Sequence, residues 1–245
     1  MRIWLGAAAL VLATAGIANA QTSSAGFYVR GDLEAGFAQN LTFTDVDPGA
    51  ANCDLCGARL PATIGTSIMF GGGIGYRFSP LLRGDVTVDD LPSLSVHGTT
   101  TQPGSPTGTA PLSLIVVLAN GYLDLNGLYP GAFGRFEPYV TAGLGFARND
   151  VGNFSGSFTV GPLAGVTFSE VGSVQANFAW GVGAGVGYPL APDLSLDIGY
   201  RYLDVGDVRS GTTETVLGVL QPPITASKSG DLGVHTLIAS LRYGF

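Results

Sequence analysis

From Gln21 onward the dominant hydrophobic period is two, the mark of extended strands with unlike faces. Eight segments carry it: Phe27–Phe37, Ile68–Phe78, Leu82–Val88, Ile115–Leu125, Phe136–Phe146, Phe178–Tyr188, Leu194–Tyr202 and Leu237–Phe245. We find no convincing helical periodicity in this part of the chain. Take the first residue of each segment and every second residue after it. No charged residue falls on that face, and no Ser, Thr, Asn, Gln or His. Every charge of these strands lies on the other face. A surrounding hydrocarbon would impose such exclusion, because an Arg or Lys facing lipid at the bilayer midplane costs roughly 2–4 kcal/mol.

The connections alternate in length. Short ones, Ser79–Leu81, Asn126–Arg135 and Pro189–Asp193, alternate with long ones rich in Gly, Ser, Thr, Asp and Pro. The long gaps run Ala38–Ser67, Asp89–Ser113, Ala147–Asn177 and Leu203–His235. Short turns on one side and long loops on the other describe a closed antiparallel barrel crossing an outer membrane. A soluble barrel would alternate too, but with its polar face outward. Closure follows because hydrocarbon leaves no backbone N–H or C=O unpaired, so the last strand must meet the first.

Aromatic residues on the apolar face supply a ruler. Phe27 and Phe37 are ten residues apart, as are Phe136 and Phe146, and Phe178 and Tyr188. Ten residues at ~3.3 Å, tilted by ~40°, climb about 25 Å, the height of the apolar band between two aromatic girdles. One girdle is expected to hold Phe27, Tyr76, Phe78, Phe136, Tyr188, Tyr243 and Phe245. The other would hold Phe37, Phe70, Phe146, Phe178, Trp180 and Tyr202.

Composition agrees with this reading. Of 245 residues, 38 are glycine and only 12% are charged, against about 25% in ordinary soluble domains. Residues 1–20 read as a secretory signal peptide: Arg2, an apolar stretch from Ile3 to Ile17, then Ala18-Asn19-Ala20 before the expected cleavage. The barrel domain is therefore expected to span 21–245. The net charge of −7 becomes −8 once Arg2 is lost. That acidity excludes nucleic acid as a partner, which needs a basic footprint.

Four features have the look of chemistry. Facing inward are Arg30, Arg77, Arg83, Arg201 and Arg242 together with Asp32, Glu34, Asp85, Asp124, Glu137 and Asp197. An eight-stranded interior is just wide enough for side chains to fill it, and a dry interior demands that charges pair. The expectation is a charged plug, and a narrow gated ion path is the competing reading. Gly71–Gly75 and Gly181–Gly187 resemble phosphate loops, but neither matches G-x-G-x-x-G or opens a helix. They are expected instead to relieve crowding inside the barrel, leaving room for water in its outer half. Cys53 and Cys56 fall in the first long loop of an exported chain, where a local disulfide is the simplest expectation. Zinc would need two more ligands, and the only histidines are His97 and His235. An enzyme would gather His97, His235, Thr236, Asp231, Asp89 and Asp90 at the outer rim. No catalytic, metal or cofactor residue is assigned.

The stretches GFYVRGDLEAGF, EPYVTAGLGFA, DLSLDIGYRYLDVGD and LRYGF resemble the eight-stranded outer-membrane β-barrel family of Gram-negative bacteria. That group includes the OmpA transmembrane domain, OmpX and the opacity-type surface proteins. The resemblance covers 21–245 and implies an all-β, closed antiparallel barrel in the outer membrane, surrounded by lipid and lipopolysaccharide. It also implies that Leu237, Ala239, Leu241, Tyr243 and Phe245 form an assembly signal read by the barrel-assembly machinery. The peptidoglycan-binding activity of the OmpA periplasmic domain is not carried over. The function expected is a structural or surface-exposed one, with no cofactor, no enzymatic activity and an unknown extracellular ligand. A small-solute channel is the alternative. Val216–Leu220 and Phe158–Phe168 are expected to form hairpins beyond the membrane.

Overall fold

The computed structural model describes residues 25–47, 59–98, 106–158 and 164–245. The signal peptide and both cysteines lie outside the described residues. The strands in chain order are β1 (Gly26–Ala38), β2 (Leu41–Asp45), β3 (Leu60–Ile64), β4 (Thr66–Arg77), β5 (Leu82–Gly98), β6 (Pro106–Asp124) and β7 (Glu137–Val151). They continue with β8 (Phe154–Phe158), β9 (Thr167–Glu170), β10 (Ser173–Ala191), β11 (Leu194–Arg209), β12 (Glu214–Val216), β13 (Val219–Leu220) and β14 (Ser227–Gly244).

Eight of these form a ring of antiparallel pairs, β1-β4-β5-β6-β7-β10-β11-β14, and each covers, to within one residue, one of the segments with period-two alternation. The pair β1–β14 completes it, running from Tyr28↔Gly244 to Ala38↔Val234. The register also measures the stagger. From Phe37 the partners run His235, Tyr202, Val182, Ala142, Gly121, Gly84 and Tyr76, and return to β1 at Phe27, ten positions from the start. With ~3.3 Å per residue and ~4.8 Å between eight strands, that stagger tilts the strands by roughly 40°. The ten-residue aromatic spacing on β1 is thus the stagger of the barrel itself.

Polarity is inverted relative to a soluble protein. Phe27, Leu33, Phe70, Ile74, Val86, Leu144, Phe146, Ile198 and Leu237 are exposed on the outer wall, while Asp32, Glu34, Arg83, Asp85, Asp197 and Arg201 are buried inside. The inward glycines make room for neighbouring protein atoms rather than for water, Gly71 for Asp89 and Gly143 for Asn120 among them. A side chain at Gly75 would collide with the Tyr28 ring, and one at Gly185 with the Tyr139 ring.

The described parts of the long connections are largely strand. Ring strands run on beyond the apolar band, and six short strands extend the wall. The hairpin β2–β3 fills the gap above β1 and β4 by bridging β14 to β5. Opposite, β8 joins the outer end of β6, followed by β9, β12 and β13. Inside this extension Leu41, Ala62, Ile64, Leu91, Leu94, Val96, Leu112, Leu114, Val205, Val208 and Leu232 form one buried core. The expected water-filled outer half is therefore corrected. Outside this part of the wall is water, so burial of apolar side chains inside becomes favourable.

Candidate functional site

Inside the barrel the inward positions of neighbouring strands converge on two ionic layers. In the layer nearer the short turns, Arg83 is 2% exposed. Its Nε donates to Asp124 at 3.1 Å and its Nη1 to Asp197 at 3.4 Å. The guanidinium lies over the rings of Tyr122, 4.2 Å from the centroid, and Tyr139, at 4.8 Å. Arg242 grips Asp197 through Nε and Nη2, at 3.0 and 3.2 Å, and reaches Glu137 at 3.4 Å. Arg77 sits at the mouth, 3.8 Å from Asp124 and 4.0 Å from Glu137. Three arginines here meet three carboxylates.

One step further in, Arg30 donates from Nε to Asp32 at 2.9 Å, from Nη1 to Asp85 at 3.2 Å and from Nη2 to Ser240 at 2.8 Å. Asp85 also accepts from Asn120 at 2.9 Å and Tyr28 at 3.0 Å. Arg201 donates from Nη2 to Glu34 at 2.9 Å and to Asp89 at 3.0 Å. Oxygens of Asp32, Glu34 and Asp89 lie within 4.8 Å of one another. Guanidinium groups already occupy that cluster, which disfavours a further cation there. A cavity of about 20 Å³ lined by Arg30, Thr87, Asn120, Tyr122 and Arg201 has room for one water.

Asp89 is the charged residue that sequence reasoning placed at the rim instead of in the lumen. The signal was available: β5 continues past Val88, and Arg83, Asp85, Thr87 and Asp89 share one phase. Two residues further on each strand, the interior turns apolar. Asp89 gives way to Leu91, Asn120 to Leu118, Arg201 to Leu203 and Thr236 to Val234, and all four apolar residues are at most 1% exposed. The ionic layers are thus capped on the loop side by packed hydrocarbon.

On the outer wall, ring contacts link Phe27 to Tyr76, Tyr76 to Phe78, Phe136 to Tyr188 and Tyr243 to Phe245 near the short turns. At the other end Trp180 meets Tyr202, and Phe146 and Phe178 are register partners, while Phe37 and Phe70 stand exposed. Leu237, Ala239 and Leu241 follow on the same outward face of β14.

The rim residues that an enzyme would gather are divided between the two faces of the wall. His97 pairs with Thr63 and Thr109. His235 is held between the Tyr200 hydroxyl at 2.6 Å and the Gln39 amide at 3.1 Å. Thr236 turns inward and donates to the Arg201 carbonyl at 3.3 Å, Asp89 is inside, and Asp231 pairs with Asp207.

A family model described as "Outer membrane protein beta-barrel domain" matches residues 5–245. An uncharacterized protein of Brucella suis biovar 1 is 31% identical over 199 residues, which is 72% of this chain and 68% of that one. The outer membrane protein PagN of Salmonella typhimurium is 32% identical over 91 residues, 37% of this chain and 34% of its own. Among solved structures, the outer membrane protein OprG of Pseudomonas aeruginosa superposes with a TM-score of 0.51 at 14% identity, over 89% of this chain and 95% of that one. At that identity the likeness shows the fold alone.

Proposed function

The chain belongs to the outer membrane protein beta-barrel domain family, and from that premise we propose that it is a non-conducting surface protein of the outer membrane. In this reading the barrel anchors a folded extracellular extension, and its interior is a plug. The observation that carries it is the apolar cap over the ionic layers. An ion crossing the barrel would have to shed its water among Leu91, Leu118, Leu203 and Val234, all buried against one another. His97 and His235 lie on the outer face while Thr236 and Asp89 turn inward, and that division supports a non-enzymatic role. The outward face would meet lipid and lipopolysaccharide. β14 would serve as the strand read during assembly, with the Phe245 amide donating to the Phe27 carbonyl of β1 at 3.0 Å.

Planar-bilayer recording on purified protein tests the proposal. We expect no steady single-channel current. Sustained, uniform current steps would overturn the plug and favour the competing small-solute channel, for which the charged lumen would then be the lining.

A further inference from the structure

The hairpin β12–β13 carries a two-residue turn, Leu217-Gly218, with φ of 51° and 78°. Both residues are left-handed, as in a type I′ turn, which favours Asn, Asp or Gly at its first position. Leu217 is strained there, and it is also 67% exposed. Val219 and Leu220 beside it are exposed too. The residue that best fits the backbone and the residue that best fits water are both absent from this position. Strain of this kind, held in place at an exposed tip, points to a use outside the fold.

The shape of the apolar surface narrows that use. Successive strand residues point to opposite faces, so Val219 and Leu220 cover different sides of the hairpin and Leu217 covers its end. A strand that docks on protein needs one apolar face. A tip that is apolar all round fits a medium that solvates every side of it, which is hydrocarbon. No charge occurs from Val216 to Leu220, while Glu214 and Glu170 are register partners at the hairpin base. Glu170 is buried there, and it is the chain's net charge of −7 that disfavours an anionic surface and tolerates a zwitterionic one.

The barrel's own membrane is out of reach. The hairpin pairs with β9 and follows in the chain the end of β11 at Arg209, seven residues past Tyr202 at the upper edge of the apolar wall. At the tilt of the barrel that is about 18 Å, whereas the tip extends only about 10 Å from Glu214. We propose that Leu217, Val219 and Leu220 insert into the outer hydrocarbon of an apposed zwitterionic bilayer, tethering one membrane surface to another. The inference rests on the surface-protein reading above and names its partner.

The test is co-flotation of the protein, held in lipid nanodiscs, with phosphatidylcholine or phosphatidylglycerol vesicles. The wild type should float with phosphatidylcholine vesicles and several-fold less with phosphatidylglycerol. Leu217→Asp with Leu220→Asp should lower co-flotation by about tenfold or more, because the tip then carries charge into hydrocarbon. Leu217→Asn, which suits the turn, should keep the folded mobility on unheated gels and still weaken co-flotation. A wild type that stays with the empty-nanodisc fraction overturns the insertion, and so does an Asp variant that floats equally well. Neither result touches the sealed lumen, which the conductance recording decides independently. Preference for phosphatidylglycerol would overturn the zwitterionic assignment.

Discussion

Between Arg242 and Arg201 the barrel interior is held by charge, whereas from Leu203 and Leu118 outward it is held by apolar contact. The wall is the same in both regions, and β6 crosses the boundary without changing phase. Asn120, Tyr122 and Asp124 point inward at one end, and Leu112, Leu114 and Val116 at the other. What differs is the solvent outside. Around the extension there is water, so burying leucines inside is favourable in the ordinary way. Around the membrane section there is hydrocarbon, and a leucine gains nothing by turning inward. Cohesion there has to come from hydrogen bonds and ion pairs, which explains why each lumen arginine touches at least two acceptors. The comparison predicts that the two layers fail differently.

The largest effect should come from breaking the inner ionic layer on one side only. Arg201→Ala leaves Glu34 and Asp89 buried without their shared guanidinium. Uncompensated buried charge should cost about 4 kcal/mol in urea unfolding in detergent micelles. Adding Glu34→Gln and Asp89→Asn should recover most of that loss. A single variant that unfolds within 1 kcal/mol of wild type would show that the pairs contribute little cohesion.

In the apolar layer a deletion should cost less and behave more simply. Leu203 is fully buried, and Leu203→Ala should destabilise by about 3 kcal/mol through lost transfer energy and a residual cavity. Unlike the Arg201 loss, this one should have no polar rescue, and Leu203→Asn should be worse than Ala. If Asn proved better, water would already be reaching this layer, and the plug would be wet from both ends.

The membrane section was legible in the sequence because lipid enforces one rule at every outward position. The extension was not. In β2 and β3 the alternation Leu41, Phe43 or Leu60, Ala62, Ile64 lasts only five residues and is broken by Thr and Pro. The run Leu114–Ala119 is apolar on both faces because it lies where inner and outer polarity exchange, so no single phase stands out. Asp89 was misread because charge alone does not say which way a side chain faces. Its partner Arg201 lies 112 residues away across the lumen, and only the register brings the two together. The inward glycines misled for a related reason: the atoms that fill their space come from neighbouring strands.

The smallest effect sharpens the comparison from outside. Arg148 and Asp150 form an ion pair at 3.6 Å on the outward face of β7, just beyond Phe146, and both side chains are about half exposed. The same two residue types that hold the lumen together are here in contact with water. Water screens their attraction and already satisfies their polar groups. Arg148→Ala should therefore change unfolding free energy by no more than about 0.5 kcal/mol, roughly a tenth of the Arg201→Ala effect. Raising the salt concentration should erase the difference between Arg148→Ala and wild type, because exposed pairs are screened. The Arg201→Ala deficit should survive the same salt. If both variants responded to salt alike, the lumen would be open to the solution, and the distinction between its two layers would collapse.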